Sequence, residues 1–162
     1  MKAKKPLILF LIILFTVLQC TALNYIQIFK VKPDILLILI IFFSLYYGRI
    51  YGLIIGAVCG LFSELSSGIP PGFAVLTYSL AGLILGYIGR WVVNLRIFGQ
   101  LYISFIFSIA VYTFLFLLFQ IFKANLSLFN ALIFIILPAS FYTAAISPVI
   151  FRFLRFLTSL VK

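Results

Sequence analysis

Histidine is absent from this sequence, and its only acidic residues are Asp34 and Glu64. General acid–base catalysis draws mainly on His and carboxylates, so almost no such machinery is available. A Ser or Cys nucleophile would find no base except Lys. Zinc and calcium sites need clusters of Cys, His or carboxylate ligands, and none can be assembled from two acids. Neither a P-loop nor a dinucleotide-binding glycine fingerprint is present. The two cysteines, Cys20 and Cys59, lie in apolar runs and read as small buried hydrophobes, not as a disulfide framework. These absences point away from an enzyme and leave no cofactor or metal to expect. A proton-coupled pump is disfavoured too, because it would want acids in mid-helix.

Charge is scarce altogether. Charged residues make up 9% of the chain, hydrophobic residues 66%, and the mean hydropathy is +1.35. A soluble domain runs near half apolar and a quarter charged, so the surplus apolar surface here must face lipid. A span needs roughly 20 apolar residues to cross about 30 Å of hydrocarbon. The 162 residues therefore have room for five or six helices in a single transmembrane helical domain over 1–162. The 19% aromatic content, mostly Phe, suits lipid-facing surfaces and interfacial belts.

The charges that are present are mostly positive: twelve Lys or Arg against the two acids, a net charge of +10. In a soluble chain this would suggest nucleic acid. Scattered singly between apolar runs, the basic residues read instead as topology signals and as contacts to anionic membrane lipid. Lys2, Lys4 and Lys5 followed by Pro6 to Leu18 resemble a secretory signal, and Leu18-Gln19-Cys20 hints at a lipoprotein site. Gln19 is not small and no A-x-A-like site follows, so an uncleaved first span is expected.

The apolar runs are Pro6 to Ile28, Ile35 to Tyr47, Ile50 to Phe62, Phe73 to Val93, Leu101 to Phe122 and Leu126 to Phe151. Lipid leaves backbone groups no partner but their own chain, so each run is expected to be helical. The second and third runs are short and separated only by Gly48-Arg49; they form either one long helix or a tight hairpin. The positive-inside rule separates the two. Six spans with an inside N-terminus place Lys2, Lys4, Lys5, Arg49, Arg90, Arg96, Arg152, Arg155 and Lys162 inside, against Lys30, Lys32 and Lys123 outside. A merged helix reverses that bias and buries Arg49 in hydrocarbon, at about 2.5–3.5 kcal/mol. The expected fold is thus an all-α, six-helix membrane bundle with both termini cytoplasmic. Its topology arginines are Arg49, Arg90, Arg96, Arg152 and Arg155.

Gly48, Gly52, Gly56 and Gly60 recur every four residues, with Glu64 as the next step. On a helix this spacing makes one slowly turning stripe. Such stripes let backbones approach closely in membranes. Gly82 and Gly86 repeat the spacing, with Gly89 beyond. The expected contact is between these two helices, the alternative being a partner's helix. Of the acids, Asp34 follows Pro33 at a helix start, where Pro suits the first turn and the carboxylate complements the dipole. Lys30 and Lys32 are near enough in sequence to pair with it. Glu64 precedes the turn-rich stretch Ser66-Ser67-Gly68-Ile69-Pro70-Pro71-Gly72. Acids near membrane depth are functional candidates. Both are expected near the outer interface.

Pro33-Asp34, Tyr47-Gly48-Arg49, the glycines at 52, 56 and 60, then Leu61-Phe62-Ser63-Glu64-Leu65-Ser66-Ser67-Gly68, Pro71-Gly72 and Tyr78 follow a known pattern. The chain resembles the MreD family of rod-shape-determining membrane proteins. The likeness covers essentially the whole chain in length and run pattern, with the specific motif confined to about 33–89. The family more often has Asp where this chain has Glu64, which keeps the charge at a longer reach. The resemblance implies a bacterial inner-membrane scaffold of the cell-elongation machinery that directs peptidoglycan synthesis. Its implied partners are MreC, the RodA glycosyltransferase, a penicillin-binding transpeptidase and, directly or indirectly, MreB filaments. The MreD family is similar in fold to the substrate-binding components of energy-coupling-factor vitamin transporters, which are the alternative function. Such a component would need an outward pocket, and the polar residues for one are few: Ser63, Glu64, Ser66, Ser67, Thr77 and Tyr78.

Overall fold

The computed structural model describes residues 33–67, 70–92, 97–122 and 128–160, and all its regular structure there is helical. The first apolar run, Lys30, Lys32, Arg96 and Lys123 lie outside the described residues. The helices are α1 (Ile35–Tyr47), α2 (Arg49–Ser67), α3 (Phe73–Val92), α4 (Ile97–Phe122), the short α5 (Leu128–Ala131) and α6 (Leu137–Leu160). A π-helical turn, Leu132–Ile136, joins α5 to α6 as one continuous rod.

The second apolar run becomes the core of the bundle. In α1, Ile35 to Phe43 and Leu45 are all buried, none above 7% exposed. A helix apolar all round can be buried in this way, whether by lipid or by protein. Here α2, α3 and α6 pack against it. With 13 residues, α1 is about 20 Å long, short of the hydrocarbon thickness. Among the described residues, three helical stretches are long and apolar enough to cross a membrane: Arg49–Ser66, Gly99–Ile121 and Leu132–Thr158. Ile35–Tyr47 and Phe73–Gly89 are apolar but shorter.

The chain turns back at Gly48, so α1 and α2 are separate helices. Gly48 has φ +90°, and its N–H donates to the Ser44 carbonyl at 3.0 Å. Glycine carries this positive φ without a Cβ penalty. A Cβ at Gly52 would lie 2.5 Å from the Ser44 hydroxyl, eight residues earlier, which only a reversed chain permits. Gly48 is not itself a step of the helical ladder, although its backbone lies beside Gly86. It is the link, and a Cβ there would meet nothing within 4 Å.

The α2–α3 pair is the most extensive contact in the bundle. Gly52 meets the Gly82 backbone, Gly56 meets Tyr78, Gly60 meets Val75 and Gly86 meets Arg49. These pairs run in antiparallel register. A methyl on Gly60 would sit 2.5 Å from the Val75 Cα. Gly89 continues the face against Leu45 of α1, where a Cβ would be 2.9 Å from the Leu45 Cα. Both stripes are thus consumed within the chain, and no partner's helix fits between them.

The parallel helices share fixed offsets. Asp34 and Leu45 of the α1 segment meet Tyr78 and Gly89 of α3, both 44 residues on. Asp34, Phe42 and Tyr46 meet Thr143, Phe151 and Arg155 of α6, each 109 residues on. Inside α6, Pro148 cannot donate to the Ala144 carbonyl, but the Ser147 hydroxyl donates to it at 2.8 Å. Hydroxyls commonly repair proline breaks in membrane helices in this manner.

Because Gly56 faces backbone and not a movable side chain, Gly56→Leu should destabilise the protein by about 3 kcal/mol or more. Leu65, 83% exposed, provides the contrast, and Leu65→Ala should change little. Denaturant unfolding in mixed micelles measures both. Equal stability of the two variants would contradict the contact.

Candidate functional site

The first acid sits inside the bundle, not at its rim. Asp34 is 6% exposed and caps α1: its Oδ1 accepts from the Leu37 N–H at 3.1 Å. Pro33 thus stands one position before the cap, not in the first turn. The Asp34 N–H donates to the Thr143 hydroxyl at 3.2 Å. Tyr78 donates its phenol hydrogen to Asp34 Oδ2. Tyr112 and Thr143 share a 3.3 Å hydrogen bond, and Thr143 donates to the Ala139 carbonyl at 2.8 Å. Ser63 is a further hydrogen-bonding neighbour of Tyr78. Asp34 thereby ties α1 to α3 through its carboxylate and to α6 through its backbone N–H, and Thr143 extends the link to α4.

The depth of this cluster follows from the register. Tyr78 is five residues into α3, and Thr143 is 15 residues beyond Leu128 in the α5–α6 rod. At 1.5 Å per residue these are about 7 and 22 Å from the helix starts. Asp34 is recessed because α1 starts deeper than its neighbours.

Glu64 has a different task. It is 8% exposed on the last turns of α2, and its Oε1 accepts from the Val75 N–H at 3.0 Å. Val75 is the third residue of α3, where backbone donors lack intrahelical partners. The carboxylate therefore caps α3 from another helix and complements its dipole. Gly72, at φ +96°, and the Phe73 N–H donating to the Pro70 carbonyl at 3.4 Å shape the turn between them.

Both acids thus serve helix starts at the same end of the bundle. The arginines lie elsewhere. Arg49, Arg152 and Arg155 are exposed, and Arg155 stacks 5.6 Å from the Tyr46 ring centroid. Only the backbone of Arg90 is described, within α3.

Thr143 and Tyr112 were not singled out from sequence, although a Thr and a Tyr in the middle of apolar runs are a usable signal. The buried serines between α4 and α6 were also missed. Ser104 and Ser108 sit one helical turn apart on α4, and Ser140 and Ser147 lie on α6; all four are fully buried. The hydroxyls of Ser44, Ser104, Ser108 and Ser140 have no hydrogen-bond partner. Chemically, the Asp34 cluster is a set of bonds between helices. Its polar groups are engaged with one another, and among the described residues no group of three potential metal ligands exists.

Comparison of the chain with family models, with curated proteins and with solved structures finds no match.

Removing the Asp34 carboxylate would strand the Tyr78 hydroxyl and the Leu37 N–H, so Asp34→Ala should cost about 3 kcal/mol or more. Tyr78→Phe should cost less, and the double variant should be markedly less than additive. Additive losses in unfolding titrations would mean that the two side chains do not act on each other. At the second acid, Glu64→Ala should cost about 1 kcal/mol as a lost cap, with Glu64→Gln retaining most of that stability. Identical losses for Ala and Gln would place the effect elsewhere.

Proposed function

We propose that this protein is a non-catalytic membrane scaffold of the bacterial cell-elongation machinery, an MreD-like component of the inner membrane. In this reading it is a six-span bundle with both termini cytoplasmic, and it resembles the energy-coupling-factor substrate-binding fold. It holds a transmembrane helix of an MreC-like protein and so helps position RodA-like and transpeptidase synthases relative to MreB filaments.

The observation that carries the reading is how the motif residues are used. Gly52, Gly56, Gly60, Gly82 and Gly86 close α2 onto α3. The polar groups a vitamin pocket would need are committed to the protein itself. Glu64 accepts from Val75, Tyr78 donates to Asp34, the Thr77 hydroxyl donates to the Phe73 carbonyl and the Ser66 hydroxyl to the Phe62 carbonyl. A rigid body with its polar groups spent internally suits a platform better than a substrate receptor.

The seat for a partner helix is then not the glycine face but the apolar groove between α3 and α4. Leu80, Ala81, Ile84, Phe107, Ala110 and Phe114 line it. Small residues such as Ala81 and Ala110 in its lining let a helix approach closely.

Photo-crosslinking from Ala110 in native membranes tests the proposal. Recovery of MreC-like and RodA-like proteins is expected, and Ala110→Trp should reduce it several-fold without changing thermal stability. Recovery of an ATPase-driven transport module instead would overturn the scaffold in favour of vitamin uptake.

A further inference from the structure

The arginine end of the bundle has a feature that the scaffold role does not use. Arg155 lies over the Tyr46 ring, 5.6 Å from its centroid. Tyr46 is 38% exposed and rests on Phe42 at 4.6 Å; Phe42 packs on Phe151 at 5.4 Å. A chain of rings anchored in the core therefore supports one face of the guanidinium. Arg152, three residues earlier on α6, is exposed, as is Arg49, which opens α2 directly after the Gly48 link. Tyr47 and Tyr51 stack 5.9 Å apart beside the same link. The end of the bundle is thus a layer of Tyr and Arg.

No acidic side chain can serve these arginines. The chain has two acids, and both cap helix starts at the other end. Asp34 is 12 residues from Tyr46 along α1, and Glu64 is 15 residues from Arg49 along α2. These spacings amount to about 18 and 22 Å, far beyond ion-pair distance. With no acidic side chain in reach, an external anion can pair with them.

We propose that Arg155 and Arg152, with the Tyr46 ring, bind the phosphate of an anionic phospholipid headgroup in the leaflet at this end. The guanidinium fork matches phosphate oxygens bidentately, and stacking on Tyr46 holds it in place before the lipid arrives. Tyrosine suits the headgroup level, where one edge is apolar and the other wet. With the arginine-rich end inside, the leaflet is the cytoplasmic one, which carries the anionic lipid. The site depends on the membrane setting and not on the identity of any partner protein, so it can fail without the scaffold failing.

The test is native mass spectrometry of the purified full chain from micelles holding equal phosphatidylglycerol and phosphatidylcholine. The protein should retain phosphatidylglycerol several-fold over phosphatidylcholine. Arg155→Gln and Arg152→Gln should each bring that ratio toward one with thermal stability unchanged. Arg155→Lys should keep only part of the preference, because it keeps the charge and loses the fork. Lys123→Gln removes one charge beyond the end of α4 and should leave the ratio as it was. A wild-type ratio near one, indifference to both arginine substitutions, or an equal loss on removing Lys123 would overturn the site. Displacement of the lipid by inorganic phosphate would also overturn it, by showing a general anion site.

Discussion

The bundle is organised by one contact, the backbone-to-backbone meeting of α2 and α3. Gly52, Gly56 and Gly60 on one helix and Gly82 and Gly86 on the other remove the side chains that would hold the axes apart. In a bilayer no hydrophobic force drives helices together, since lipid is as apolar as Leu, so close van der Waals packing must carry the association. Once that register is set, other contacts follow. Glu64 comes within reach of Val75, and Tyr78, whose backbone lies on Gly56, directs its hydroxyl to Asp34. Gly89 lets α3 continue down onto Leu45 of α1. The hairpin is thus the wall against which the core helix is placed.

The buried acid is tolerable because of what surrounds it. A carboxylate at membrane depth costs about 2.5–3.5 kcal/mol on insertion scales. Hydrogen bonds to charged groups return about 1.5–3 kcal/mol each. Asp34 accepts two, from the Leu37 N–H and the Tyr78 hydroxyl, and the first is also a helix cap. The terms are of similar size, so the acid adds little net stability while penalising every arrangement that separates it from Tyr78. That is a device for uniqueness of packing between segments 44 residues apart, while the bond to Thr143, 109 residues on, comes from the Asp34 backbone N–H.

The readable parts of this architecture were local. The apolar runs anticipated each described helix, with ends displaced: the third run grew to Arg49–Ser67 and the last to Leu128–Leu160. Glycine spacing pointed to the α2–α3 face, because a four-residue repeat has a geometric meaning on any helix. The same arithmetic did not reveal that Gly48 is the link and that α2 begins one residue later, so Gly48 meets the face through its backbone beside Gly86. The burial of α1 was not legible, because an apolar helix looks alike whether lipid or protein covers it. Nor was the depth of Asp34, which depends on how far a short helix is sunk among longer ones. Thr143 and Tyr112 become its neighbours only through tertiary register.

These placements also bear on the choice between platform and receptor. A receptor keeps polar groups uncommitted and facing a cavity, so that a substrate can complete them. Around Asp34 the opposite holds: Leu37 N–H and Tyr78 complete the carboxylate, and the Asp34 N–H and Tyr112 complete the Thr143 hydroxyl. Among the described residues, the buried side-chain polar atoms without partners are the hydroxyls of Ser104, Ser108 and Ser140 on α4 and α6 and of Ser44 on α1. In membranes small hydroxyl residues serve first as close-packing surfaces, and their hydrogen bonds contribute little. Opening a substrate pocket beside Asp34 would mean breaking bonds that tie α1 to α3 and α6, the joints that hold the core helix in place. A binding event cannot readily supply that cost without unlocking the bundle, whereas a partner helix lying in the α3–α4 groove asks nothing of those joints.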